Sequence, residues 1–306
     1  MLKSDWLKNE MREKMPVASV STPFTKNGEV DYRGIRSIVD FIIEAGTGLV
    51  LLTYGDSLYS ILSDYEIAEV TRAVVEQTRK RAVVVAATGT WWTGKCVEFA
   101  EYSQDLGVDV LMSLPPNWAD SSNIKTLKQH YTAISEKMPV MIVTALGNKP
   151  VPIQVIQELV KENNGIIAIK DDICGAYGRK MASLAHEKWA ILSGGLKENH
   201  IDIMPYGVDS YLSVYMRFKP WIAHIYWDKI KRSDIPAAVD IIERYERPFW
   251  EMVNRVGMDF DSIIHACMEI CGICGRWRRL PYQNLAEDQM EIVADFLDKL
   301  EVKKDA

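Results

Sequence analysis

The sequence lacks any apolar run near the about 20 residues that a membrane-spanning helix needs, so no membrane segment is expected. It also lacks basic clusters. Its 36 Lys and Arg are scattered among 42 Asp and Glu, for a net charge of −6. That balance argues against nucleic acid or an anionic membrane as partner. The first residues, Met1 to Glu13, carry Lys3, Asp5, Lys8, Glu10, Arg12 and Glu13 and have no apolar core of a secretory signal. A cytoplasmic location is the expectation. Five cysteines, an odd number, suit a reducing compartment. The five histidines show no metal-ligand spacing, and His130 and His186 are expected on solvated faces of outer helices. No phosphate-cradling glycine loop stands out. Neither a metal nor an organic cofactor is therefore expected.

What is present is an alternation. Short apolar, β-branched runs lie near 16–21, 49–53, 82–87, 108–112, 139–144, 165–169, 189–192 and 210–214. Such runs read as strands buried on both faces. Helical patterns separate them. Asp31 can cap one helix, and Ser63-Asp64-Tyr65-Glu66 has the capping-box spacing of another. Strands alternating with helices indicate βαβ units and a parallel sheet, and eight units point to a closed (β/α)8 TIM barrel. A doubly wound open sheet is the competing architecture. Only helical patterns follow residue 220. The expected organisation is an N-terminal helical arm (1–15), a (β/α)8 barrel (16–220) and a C-terminal helical extension (221–306) packed on it. Cys267, Cys271 and Cys274 have an iron–sulfur-like spacing, but they fall inside a helical pattern where buried cysteine acts as a small hydrophobe.

Gly165-Ile166-Ile167-Ala168-Ile169-Lys170 ends its sixth strand on a lysine. Active sites of such barrels gather at the carboxyl ends of the strands. A lysine amine there can attack a carbonyl and form a Schiff base.

Several segments then resemble the dihydrodipicolinate synthase / N-acetylneuraminate lyase family, class I aldolases on a (β/α)8 barrel. They are Val20-Ser21-Thr22-Pro23-Phe24, Thr53-Tyr54-Gly55-Asp56-Ser57, the strand ending in Lys170-Asp171, Leu192-Ser193-Gly194, Gly207 to Ser213, and Gly275-Arg276-Trp277-Arg278-Arg279-Leu280-Pro281. The resemblance runs from about 16 to 302. It implies a lyase or aldolase in which Lys170 forms a Schiff base with pyruvate or another 2-keto acid and a carbon–carbon bond is made or cleaved. It further implies proton relay and carboxylate binding at Thr53, close backbone approach at Gly55, and a strand-eight carbonyl at Leu212. Family members are commonly tetramers, so a homo-oligomer, dimer or tetramer, is expected.

The pattern also breaks. The family's proton-carrying tyrosine on strand five falls at Val143, which cannot carry a proton. A shift of one residue gives Thr144, a weak substitute kept as a substrate-binding candidate, as is Gly194. Tyr54 replaces a threonine and could take over the proton role or simply fill the carboxylate pocket. Asn117, Trp118, Asn148, Lys149, Trp91 and Trp92 also differ, the tryptophans adding bulk expected near the pocket. These departures weigh against dihydrodipicolinate synthase itself. A barrel that has lost catalysis and serves as a binding or regulatory protein is the alternative.

Overall fold

In a computed structural model of the protein, residues 3–13, 15–116, 121–146 and 149–304 are described. Eight strands form one parallel sheet in chain order: β1 Ala18–Ser19, β2 Leu49–Leu51, β3 Val83–Ala87, β4 Val110–Ser113, β5 Val140–Val143, β6 Ile166–Asp171, β7 Ala190–Ser193 and β8 Ser210–Tyr211. A parallel bridge between Val17 and Leu212 joins the first strand region to the last. Val17 N–H donates to the Tyr211 carbonyl (3.2 Å), and Ser213 N–H donates to the Val17 carbonyl (3.1 Å). The sheet therefore closes, as expected of a barrel and not of an open doubly wound sheet. Side chains of all eight strands are buried, because helices cover the outside while the inward faces fill the interior.

β1 and β8 are shorter than the apolar runs that carry them. Pro16 has no N–H for a ladder, and beyond Tyr211 only the closing bridge remains. A small antiparallel pair, Ala145–Leu146 with Lys149–Pro150, follows β5 and has no clear sequence signal.

The helices are α1 Lys3–Glu13, α2 Tyr32–Glu44, α3 Asp64–Thr78, α4 Thr93–Leu106, α5 Ile124–Ser135, α6 Ile153–Glu162, α7 Gly175–Ala185, α8 Lys197–Ile203 and α9 Pro220–Lys231. Asp31 caps α2 by accepting from Gly34 N–H, and the Ser63/Glu66 capping box opens α3. α9 takes the eighth place in the outer ring. Its Tyr226 hydroxyl meets His200 Nδ1 of α8 at 2.8 Å, and its His224 meets the Ala45 carbonyl after α2 at 2.7 Å. Beyond it come α10 Ile235–Ile241, a π-helical segment Ile242–Glu246, α11 Arg247–Val256, α12 Phe260–Ile270 and α13 Glu287–Lys304. No helix among the described residues is long and apolar enough to cross a membrane.

Two polar residues sit differently from expectation. His130 is buried, not solvated: its Nδ1 lies 3.0 Å from the Thr93 hydroxyl of α4, and burial pushes it down to about 4. Glu66, beyond the capping box read for it, is the anchor of the C-terminal tail. Arg279 donates to Glu66 Oε1 (2.6 Å), to the Ile61 carbonyl (2.8 Å) and to the Gly28 carbonyl (2.8 Å). This clamp fastens the tail between α12 and α13 to the start of the barrel, 213 residues away in sequence.

The Arg279 guanidinium holds the Glu66 carboxyl down at about 2, against an ordinary 4.5. Its stabilisation is complete above the ordinary value and is lost as pH falls through about 2. Glu66→Gln keeps the capping box but removes the charge. It should cost about 1–2 kcal/mol at pH 7, the pair being partly solvated. In urea unfolding the gap between variant and parent should close as the pH approaches 2.

Candidate active site

Register places the site. Lys170 on β6 lies between Val143 on β5 and Leu192 on β7. Alternate residues of a strand face opposite sides. Lys170 and, two residues on, Asp172 face the same cavity, whereas Asp171 faces outward between them. That cavity has a volume of about 520 Å³, within the range of about 300–1,000 Å³ typical of small-molecule sites. Its walls are mostly apolar, and Val143, Leu114, Leu212 and Trp250 are among them.

Lys170 is 7% exposed. Its Nζ donates to both carboxylate oxygens of Asp172, Oδ2 at 2.6 Å and Oδ1 closer still. The pair fits only because residue 194 is glycine. A Cβ built there would stand 1.9 Å from Asp172 Oδ1 and 2.9 Å from Lys170 Nζ. Gly194, expected as a substrate-binding residue, thus makes room for the pair, while its neighbour Gly195 lines the cavity.

Thr144 departs from its expected place. It is fully buried, and it does not line the cavity. Being the residue after Val143, it faces the other way. Its hydroxyl donates to Asp171 Oδ1 (2.9 Å) and accepts from Asp172 N–H (2.9 Å), while its own N–H donates to the Lys170 carbonyl (3.0 Å). It is a positioning residue for the end of β6. Asp171 also accepts from Ile173 and Cys174 N–H, at 3.1 Å each. Burial nevertheless pushes its carboxyl up.

Across the barrel, the turn after β2 supplies Thr53, Tyr54, Gly55 and Asp56, all cavity-lining. Thr53 Oγ1 accepts from Asp56 N–H (3.0 Å), which leaves the hydroxyl proton able to point at a ligand. A Cβ at Gly55 would meet nothing within 4 Å, so open space lies before its backbone. Tyr54 is part of the wall. Among the described residues, both hydrogen bonds found for Lys170 Nζ go to Asp172 and none to Tyr54. Leu212 lines the cavity from the end of β8, its N–H bonded to the Ser193 carbonyl (2.9 Å).

The tryptophan expectation needs correction. Trp91 packs edge-on against Phe99 of α4 at 5.3 Å, and Trp92 is 69% exposed; neither lines the cavity. Asn117, Trp118 and Asn148 lie outside the described residues. The aromatic wall comes instead from Trp250 of α11 and Phe260 of α12, stacked at 5.3 Å. Sequence reasoning offered no way to aim these helices at the barrel mouth. Arg217, three residues after the last apolar position expected in strand eight, was also missed. It is 2% exposed, donates to the Ser21 hydroxyl (3.1 Å) and lies 3.5 Å from Asp56.

A second buried lysine, Lys197, begins α8. Its Nζ is 3.6 Å from Glu246 and lies over the rings of Tyr215 and Tyr226. Burial lowers this amine, and the carboxylate opposes the shift. Glu246 reaches the cavity, but Lys197 does not. Among the described residues, Lys170 is therefore the lysine in position to meet a ligand. Cys267 lies buried on α12, far in sequence from these strand ends, and burial raises its thiol.

Thr144→Val removes a donor to Asp171 and orphans Asp172 N–H. A destabilisation of about 1–3 kcal/mol is expected in urea unfolding, with Thr144→Ser recovering most of it. Equal stability of the valine variant and the parent would contradict this arrangement.

The chain matches the sequence profile of the dihydrodipicolinate synthetase family over residues 14–300. A 4-hydroxy-tetrahydrodipicolinate synthase of Staphylococcus carnosus (strain TM300) is 28% identical over 273 residues, 87% of this chain and 90% of the relative. Among solved structures, N-acetylneuraminate lyase from Fusobacterium nucleatum superposes with a TM-score of 0.82 at 19% identity, covering 94% of this chain and 99% of that one. YagE, a prophage protein from E. coli K12 in complex with pyruvate, superposes with a TM-score of 0.80 at 21% identity, covering 93% and 98%. Together with the closed barrel and the lysine at the end of its sixth strand, the profile match over nearly the whole length places this chain in the dihydrodipicolinate synthetase family.

Proposed function

We propose that the protein is a lyase or aldolase that forms a Schiff base between Lys170 and a 2-keto acid, pyruvate being the first candidate, and makes or cleaves a carbon–carbon bond. The observation that carries this reading is the placement of Lys170. It is the cavity's lysine, at a strand's carboxyl end, in an apolar site of small-molecule size. In such a site the iminium acts as an electron sink for the adjacent carbon. Thr53, with its hydroxyl proton available, and the open backbone at Gly55 suit the keto-acid carboxylate; Tyr54 and Leu212 form the wall around it. A relative's complex with pyruvate agrees with the ligand class.

Val143 beside Lys170 favours one rival reading, a barrel that binds a keto acid or another small molecule without turning it over. It also separates this chain from the synthase named for its relatives, whose second substrate need not be shared.

Borohydride reduction in the presence of pyruvate and a panel of larger 2-keto acids separates the two. An adduct is expected on the peptide containing Lys170, and Lys170→Met should trap nothing. Gly194→Ala should cut adduct yield about tenfold or more, because its Cβ forces Asp172 and Nζ apart. No adduct with any acid of the panel would favour the binding protein.

A further inference from the structure

Schiff-base chemistry needs a group that moves protons at the lysine nitrogen and at the departing oxygen. The neighbour that strand pairing places beside Lys170 on β5 is Val143, which has no exchangeable proton. The neighbour on β7 is Leu192, which has none either. Among the described residues, the group that touches the nitrogen is the carboxylate of Asp172, with Oδ2 at 2.6 Å and Oδ1 nearer. The side chains differ in access: that of Lys170 is 9% exposed and that of Asp172 35%. The carboxylate therefore faces both the amine and the cavity, and can exchange protons with water between turnovers.

Resting on the Lys170 reading, we propose that Asp172 is the general acid–base of Schiff-base formation. The ammonium first passes a proton along the existing hydrogen bond to Asp172. The freed amine lone pair adds to the ketone carbon, and the carbonyl π pair moves to oxygen. Asp172 gives its proton to that oxygen and takes one from the nitrogen, leaving a neutral carbinolamine. It then gives this second proton to the hydroxyl as the C–O bond breaks, so that water departs and the nitrogen lone pair forms the C=N bond. The balance is one ammonium and one ketone giving one protonated iminium and one water. The carboxylate ends as it began, ionised and paired with a cation.

Its position follows from local constraints and not from a flexible loop. Asp172 N–H is held by the Thr144 hydroxyl, and the carboxylate occupies space that a Cβ at position 194 would take.

The test uses the full-length protein and pyruvate, reading the rate of the borohydride-trapped Lys170 adduct by mass spectrometry. Asp172→Asn, which keeps the shape and loses the proton-carrying group, should slow adduct formation about 100-fold or more. Asp172→Ala should be equally slow and should be accelerated by added formate, a small carboxylate that can enter the vacated space. Circular dichroism and unfolding midpoints establish that both variants fold. Trapping by Asp172→Asn at the parent rate overturns the proposal while leaving Lys170 as nucleophile. Slow Asp172→Ala that formate does not accelerate assigns Asp172 to holding the lysine, which also overturns it. If the parent itself traps no adduct, the Lys170 reading fails and this proposal falls with it.

Discussion

An ammonium set among valine, leucine and tryptophan costs roughly several kcal/mol unless a counter-charge goes with it. The barrel meets this constraint by taking both charges from one strand end. Lys170 and Asp172 are two residues apart, so the alternation of the strand sends both to the cavity side. Everything around them serves that placement. The missing Cβ at Gly194 gives the carboxylate its room. Thr144 grips the backbone between them, at the Lys170 carbonyl and the Asp172 N–H, and Asp171 turns outward into three donors that fix the start of the following loop. The pair is thus held by backbone and the buried Thr144 hydroxyl.

The contrast with Lys197 shows why one buried lysine suits chemistry and the other suits structure. Lys197 has Glu246 as partner and two tyrosine rings as neighbours, and its side chain is 1% exposed. Both its backbone N–H and its ammonium reach the same carboxylate, which ties α8 to the π-helical segment. A ligand would have to break that seam to reach it. π-helical turns often sit at functional sites because the extra residue re-aims a side chain. Here that turn delivers Glu246 to the seam and to the edge of the cavity at once. Lys170 has one partner among the described residues and faces the cavity.

The barrel was legible because its signal is repeated. Each strand is a short run of β-branched and apolar residues, and each sits between helices whose caps can be read directly, as at Asp31 and Ser63. The lysine was legible for the same reason, since a charge at the end of a buried run has few explanations. What failed was anything depending on the facing of single residues or on distant packing. Thr144 follows Val143, so it had to face away from the cavity wall that Val143 forms; the alternation forbade the substitute role proposed for it. Trp91 and Trp92 immediately precede α4, where Trp91 packs on Phe99 and Trp92 is exposed, so their position after a strand said nothing about the pocket. Arg217, Trp250 and Phe260 are set by how the chain returns over the barrel mouth, for which no local pattern exists.

That last point bears on specificity. The strand ends and the turn after β2 provide a lysine, a carboxylate, a hydroxyl and an open backbone, which under the proposed function would serve any 2-keto acid alike. The remaining walls come from elsewhere: Arg217 after β8, Glu246 in the π segment, Trp250 and Phe260 on α11 and α12. Arg217 is a buried guanidinium shared between the Ser21 hydroxyl and Asp56, with no partner for its Nε among the described residues. Phe260 lies under it, its ring centre 5.6 Å from the guanidinium carbon. These helices are fastened to the barrel by contacts far along the chain, the Arg279–Glu66 clamp among them. A fold supports many reactions because its sites are assembled from such additions. In this chain the C-terminal additions to the cavity, Arg217, Glu246, Trp250 and Phe260, all come from residues after the eighth strand.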